Sequence, residues 1–250
     1  MLRAFAEGHV FGEPFGDGTP RVVWLHGWGR SSADFREAGE LLAARGIASL
    51  ALDLPGFGAS PVPDAPMGAR GYAELVSSVV REATHGEPYV LVGHSFGGRI
   101  AAVLGSRGET GLRGLVIAGA PLVARSASSR RSPVAYRLVR AAAKWHLVSL
   151  NRLEAAKRKY GSVDYRNATG VMRDVLVATV NETYEAELSA ITTPTIFVWG
   201  VNDSDVPLEV ARRAATLMAR PPIVREIQGC GHLVPRDGTV AVVEAVVELL

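Results

Sequence analysis

Short apolar runs recur along the chain: VVWL (Val22 to Leu25), IASLAL (Ile47 to Leu52), YVLVG (Tyr89 to Gly93), LVIAG (Leu115 to Gly119) and TIFVWG (Thr195 to Gly200). None shows the polar alternation of a half-exposed strand, so each predicts a strand covered on both faces. Between the runs the apolar spacing becomes helical. SSADFREAGELLAARG opens with a capping pattern at Ser31 and Asp34 and closes at Gly46, and GYAELVSSVVREATHG and FGGRIAAVLGSRG follow. Strand alternating with helix predicts an α/β fold on a doubly wound, mostly parallel sheet. PPIVREIQG adds a last strand and TVAVVEAVVELL a closing helix, while LRAFAEGHVFGEPF predicts an antiparallel edge hairpin.

Between Pro121 and about Ala190 this rhythm breaks, and helical patterns follow one another without a buried-strand run. The expected organisation is a core of residues 1–120 and 191–250 interrupted by a helical cap at 121–190. Within the cap, VAYRLVRAAAKWHLV places Val134, Leu138, Ala142 and Trp145 on one helical face. Such a stripe either packs on the core or covers an apolar cleft.

Composition narrows the class. A chain of 250 residues, 48% hydrophobic and 21% charged, has ample material for a core, and a formal charge of +2 is too small to argue for nucleic acid. The single cysteine, Cys230, cannot form an internal disulfide and fits a reducing compartment. Glu7, Gly8 and His9 interrupt the stretch where a signal peptide needs an apolar core, and no run reaches membrane-spanning length. The expected protein is soluble and cytoplasmic. None of its histidines has a metal-ligand spacing, so neither metal nor other cofactor is expected.

GHSFGG, Gly93 to Gly98, lies between a predicted strand and a predicted helix. A serine on such a sharp turn sits in a strained backbone, and only glycines at the flanking positions let strand and helix approach. The turn exposes the Ser95 hydroxyl at the carboxyl end of the sheet, where α/β folds bind ligands. It also sets the N–H of Phe96 at a helix amino end, facing a developing oxyanion.

A serine hydroxyl needs a base, and the base needs a carboxylate to fix its tautomer. WGVNDSDVP, after the strand that ends at Gly200, offers Asp203, with Asp205 as a competitor two places on. QGCGHLVP, after the last strand, offers His232. The predicted catalytic set is therefore Ser95, Asp203 and His232, in that chain order. His26 is expected to brace a loop near the site and Cys230 to be a small buried side chain.

Five motifs, LHGWG, DLPGFGAS, GHSFGG, WGVNDSDVP and GCGHLVP, resemble those of the α/β-hydrolase fold superfamily over essentially the whole chain. The resemblance implies that Trp28, after the His-Gly pair, supplies a second oxyanion N–H, and that Asp203 rather than Asp205 is the acid. LHGWG and LDLPGFG are similar to stretches of the pimeloyl-acyl-carrier-protein methyl ester esterases.

A serine nucleophile implies acyl transfer: carboxylic ester hydrolysis through an acyl-enzyme, with Trp28, Phe57 and Trp145 as candidate substrate contacts. The expected partner is a small-molecule ester. Between Pro121 and Arg166 the cap is rich in Arg and Lys, among them Arg125, Arg130, Arg131, Arg137, Arg140 and Lys144, against only Glu154 and Asp164. That charge suits either an anionic or carrier-linked acyl group or a merely solvated helix face. Two alternatives stay open: a carbon–carbon hydrolase of the meta-cleavage type, from whose motifs HGWGRS and His94 depart, and a non-turnover receptor that keeps the same residues.

Overall fold

The computed structural model describes residues 1–124 and 163–250. Eight strands form one sheet: β1 (Arg3–Phe5), β2 (Val10–Phe15), β3 (Val22–Leu25), β4 (Ser49–Asp53), β5 (Tyr89–His94), β6 (Leu112–Ala118), β7 (Thr195–Gly200) and β8 (Ile223–Ile227). Their order is β1-β2-β4-β3-β5-β6-β7-β8. The hairpin partners β1 and β2 run antiparallel, β2 is antiparallel to β4, and every later pairing is parallel.

Alternation along each strand sends successive side chains into two separate cores. Val23, Leu25, Leu50, Leu52, Leu91, Leu115, Ile117, Phe197 and Trp199 face one way. They pack on helices α2 (Ala69–Thr84) and α3 (Phe96–Arg107). Val22, Trp24, Ala51, Val90, Val92, Val116, Ala118, Ile196 and Val198 face the other way. There they meet α1 (Arg36–Ala43) and the C-terminal helix Thr239–Leu249. Coverage on both faces explains why the strands read as unbroken apolar runs. Exceptions are the β1–β2 hairpin and the edge strand β8, half exposed and charged, where Arg225 pairs with Glu248 and Glu226 with Arg212. Charges of this kind discourage a further strand from pairing there.

Some boundaries differ from those expected. The run from Ile47 yields a strand only from Ser49, because the N–H of Ile47 donates to Leu42 O and finishes the α1 turn. The capping pattern at Ser31 and Asp34 makes no cap: the Ser31 side chain bonds nothing there. Asp34 instead takes the guanidinium of Arg30, with Nε at 2.7 Å, and a 3-10 turn at Ser32–Phe35 precedes α1.

Described residues between β6 and β7 include three helices, α4 (Val163–Asn167), α5 (Gly170–Asn181) and α6 (Glu185–Ala190). A polar cluster joins this segment to the sheet-side helices. Glu182 accepts the N–H of Ala69 at 2.8 Å and the Tyr184 hydroxyl at 2.7 Å. Arg99, on α3, donates from Nη1 to Thr179 O at 2.8 Å. No described helix is long and apolar enough to cross a membrane.

Candidate active site

Ser95 lies between β5 and α3 with φ 50° and ψ −106°, a conformation that costs an L-residue about 1–3 kcal/mol. The surroundings enforce it. The N–H of Ser95 donates to Ala118 O at 2.9 Å, and that of Gly97 donates to His26 O at 3.0 Å. A Cβ at Gly93 would stand 2.4 Å from Gly97 O, and one at Gly98 would stand 2.5 Å from the Ala120 side chain. The glycines are thus the contact surface on which strand and helix meet.

Asp203 follows β7, and His232 follows β8. The two loops are laced together: the N–H of Val201 donates to Ile227 O at 3.0 Å, and that of Asn202 to Cys230 O at 2.9 Å. Gly200 permits this approach, since a Cβ there would stand 2.2 Å from Gly231 O.

The structure brings the three side chains into line. His232 Nδ1 is 2.8 Å from Asp203 Oδ2, and His232 Nε2 is 3.2 Å from Ser95 Oγ. A carboxylate only accepts, so Nδ1 carries the proton and Nε2 presents its lone pair to the serine. The other oxygen of Asp203, Oδ1, accepts the N–H groups of Asp205 at 2.8 Å and Val206 at 2.7 Å. Asp205 therefore orients the Asp203 carboxylate through its backbone, while its own side chain is exposed. The Asp203 carboxylate is fully buried, whereas the His232 ring is 21% exposed.

Among the described residues, neither the N–H of Phe96 nor that of Trp28 is paired with a protein acceptor. Trp28, Phe57 and Phe96 contact one another edge to face, with centroids 5.0 to 6.2 Å apart. Trp145 lies outside the described residues.

Supporting residues complete the frame. His26 Nδ1–H donates to Gly27 O at 2.7 Å, and its Nε2 accepts the N–H of Leu54 at 3.0 Å, so it braces the loop as its position suggested. Burial pushes the His26 imidazole down, which keeps it neutral. Asp53 went unremarked in the sequence, yet its buried carboxylate accepts the N–H of Ser32 at 2.7 Å and of Ala59 at 2.8 Å. The one visible hint was an aspartate ending the apolar run LALD. Burial pushes the Cys230 thiol up, so it is no thiolate nucleophile. A separate concavity of about 230 Å³ beside Phe15 and Ser49 opens at the sheet end remote from Ser95.

Residues 22–245 match the model of the Alpha/beta hydrolase family, so the chain belongs to that family. It is similar to the 2-succinyl-6-hydroxy-2,4-cyclohexadiene-1-carboxylate synthase of Salmonella newport (strain SL254). The two are 34% identical over 113 residues, 44% of this chain and 41% of that protein. The match thus spans about two fifths of the relative's length. Among solved structures, an esterase from Exiguobacterium antarcticum superposes with a TM-score of 0.73 at 21% identity, covering 96% of this chain and 94% of that one. The monoacylglycerol lipase of Paleococcus ferrophilus does so with a TM-score of 0.68 at 23% identity, covering 96% and 99%. Both likenesses show the fold.

Proposed function

We propose that this alpha/beta hydrolase cleaves small-molecule carboxylic esters through an acyl-enzyme, using Ser95, His232 and Asp203. The observation that carries the reading is the unbroken line from Asp203 Oδ2 through His232 to Ser95 Oγ, in which each contact has the donor and acceptor that the next needs. Ser95 Oγ attacks the ester carbonyl while His232 Nε2 takes its proton. The carbonyl oxygen becomes an oxyanion and accepts the free N–H groups of Phe96 and Trp28. The tetrahedral species collapses, the proton on His232 passes to the departing alcohol, and a water activated by the same imidazole then releases the acid. Trp28 and Phe57 form an apolar wall for the acyl group, and the protein acts in the cytoplasm.

The similarity to the synthase supports a second reading. Its name describes a cyclohexadiene carboxylate with a succinyl group. On this reading Ser95 and His232 act as a base on a carboxylate-bearing substrate, and no acyl-enzyme forms.

Hydrolysis of p-nitrophenyl esters of increasing acyl length, by wild type and Ser95→Ala in parallel, tests the first reading. Turnover lost in Ser95→Ala, with the intact mass of the quenched enzyme raised by one acyl group, is expected. Absence of ester turnover by the wild type favours the second reading, and turnover that survives in Ser95→Ala removes Ser95 as nucleophile.

A further inference from the structure

We propose that His94 is a positioning residue, one that holds the backbone of His232 and the loop at Gly27 in register with Ser95. The inference rests on the catalytic reading of Ser95 and His232 above. Three contacts carry it, each to a different part of the site.

The first is a hydrogen bond. His94 ends β5, immediately before Ser95, and is 1% exposed. Its Nε2 lies 2.8 Å from the backbone oxygen of His232. A carbonyl only accepts, so Nε2 carries the proton and Nδ1 keeps its lone pair. This bond spans 138 residues of sequence and fixes the main chain from which the His232 ring projects. The second contact is between the rings themselves, whose centroids are 5.0 Å apart and whose planes are inclined at 49°.

The third contact runs to the loop that carries Trp28. A Cβ at Gly27 would stand 2.9 Å from His94 Nδ1 and 3.3 Å from the Ser95 Cβ. The loop is thus seated directly on the His94 ring. Nδ1 meets no hydrogen-bond partner in this contact, and an unpaired buried nitrogen is destabilising. A flat side chain with a donor at its far tip satisfies all three neighbours together. Leucine fills the volume without the donor, and asparagine carries its donor only as far out as Nδ1.

The neutrality of His94 matters to the chemistry. When His232 takes the serine proton it becomes a cation, and a second cationic ring 5.0 Å away would oppose that step. Burial, reinforced by the nearness of His232, pushes the His94 imidazole down to about 4. The other charged groups that face it are Asp34 and Asp203. His94 therefore remains a hydrogen-bond donor without gaining charge at neutral pH.

The test is the rate at which an alkyl fluorophosphonate labels Ser95 in the full-length protein, which needs no knowledge of the natural substrate. In that step the serine oxygen–phosphorus bond forms, the phosphorus–fluorine bond breaks, fluoride leaves and the serine proton passes to His232. Wild type, Ser95→Ala, His94→Gln, His94→Asn and His94→Leu are compared, each with its melting temperature. The amide nitrogen of Gln reaches about as far as Nε2. Displacing a reacting group by about 1 Å can cost about 100-fold, so His94→Asn and His94→Leu are expected to slow labelling by at least about tenfold and His94→Gln by less than about threefold. Equal rates in the Gln and Asn variants, or slowing that tracks melting temperature alone, overturn the proposal. Should the Leu variant fail to fold, the Gln and Asn pair still decides. Labelling that persists in Ser95→Ala overturns the catalytic reading itself, a separate result.

Discussion

Replacing Gly97 by alanine sets a methyl group 2.2 Å from the carbonyl oxygen of Leu25 and 2.5 Å from its carbon. Ordinary contact begins at 3.4 Å, so the overlap with the oxygen is 3.4 − 2.2 = 1.2 Å. Leu25 cannot retreat: it sits between Leu52 of β4 and Gly93 of β5 in the centre of the sheet. The start of α3 must move instead, stretching the 3.0 Å bond from Gly97 N–H to His26 O and carrying the Phe96 N–H with it. Overpacking of a core costs about 1–3 kcal/mol, and a clash with backbone belongs at the upper end. For a chain of this length about 3 kcal/mol lowers Tm by roughly 6–12 °C. A shift of about 1 Å at the oxyanion site lowers ester turnover by about 100-fold. Scanning calorimetry and p-nitrophenyl ester turnover measure the two effects. Gly231→Ala is the control, because a Cβ there meets nothing within 4 Å although the residue adjoins His232. Its stability should stay within about 0.5 kcal/mol of wild type. A Gly97→Ala protein that melts with the wild type, or a Gly231→Ala protein equally damaged, would refute the contact argument.

Three further outcomes are expected. Asp203→Asn presents an amide to His232 Nδ1, favours the wrong tautomer and lowers kcat by about 10⁴, while Asp205→Asn leaves it within about threefold; the reverse ranking in steady-state assays would assign the acid to the wrong residue. His94 has an ordinary value of 6.5 and is pushed down to about 4 in the folded chain, so between those values the unfolded chain binds more protons than the folded one. Its contribution is full above 6.5 and is lost as pH falls towards 4; from pH 7 to pH 5 the loss is about 2 kcal/mol, so urea midpoints of His94→Gln should depend less on pH than those of wild type. Glu182→Ala removes the acceptor for Ala69 N–H and the Tyr184 hydroxyl and should lower unfolding stability by about 1–3 kcal/mol, and an unchanged urea midpoint would show that the cluster is energetically idle.

The residues that could be read from the sequence share a physical cause. Val22 to Leu25 and Thr195 to Gly200 show as apolar runs because helices cover both faces of their strands. The places of Ser95 and Asp203 just beyond a strand were legible because each follows such a run closely, whereas His232 follows the charged edge strand β8. His94 and Arg99 were not legible as supports, because their partners lie 138 and 80 residues away and no local pattern announces them. Asp53 is similar, since it serves Ser32 from 21 residues away. Ser31 and Asp34 fit a local capping rule, yet the guanidinium of Arg30 offered Asp34 a stronger partner than a helix N–H.

The contact between Ser95 and His232 joins residues 137 positions apart, across a sheet whose parallel pairings are all non-local. Such topologies fold slowly, because long loops must close before their contacts are made. On the proposed reading Ser95 becomes reactive only when β8 and the loop beyond it have settled against β7, so its labelling is a stopwatch for that docking step. In a refolding experiment, fluorophosphonate labelling should rise after the sheet signal in circular dichroism, and the interval between them times the closure of the C-terminal strand.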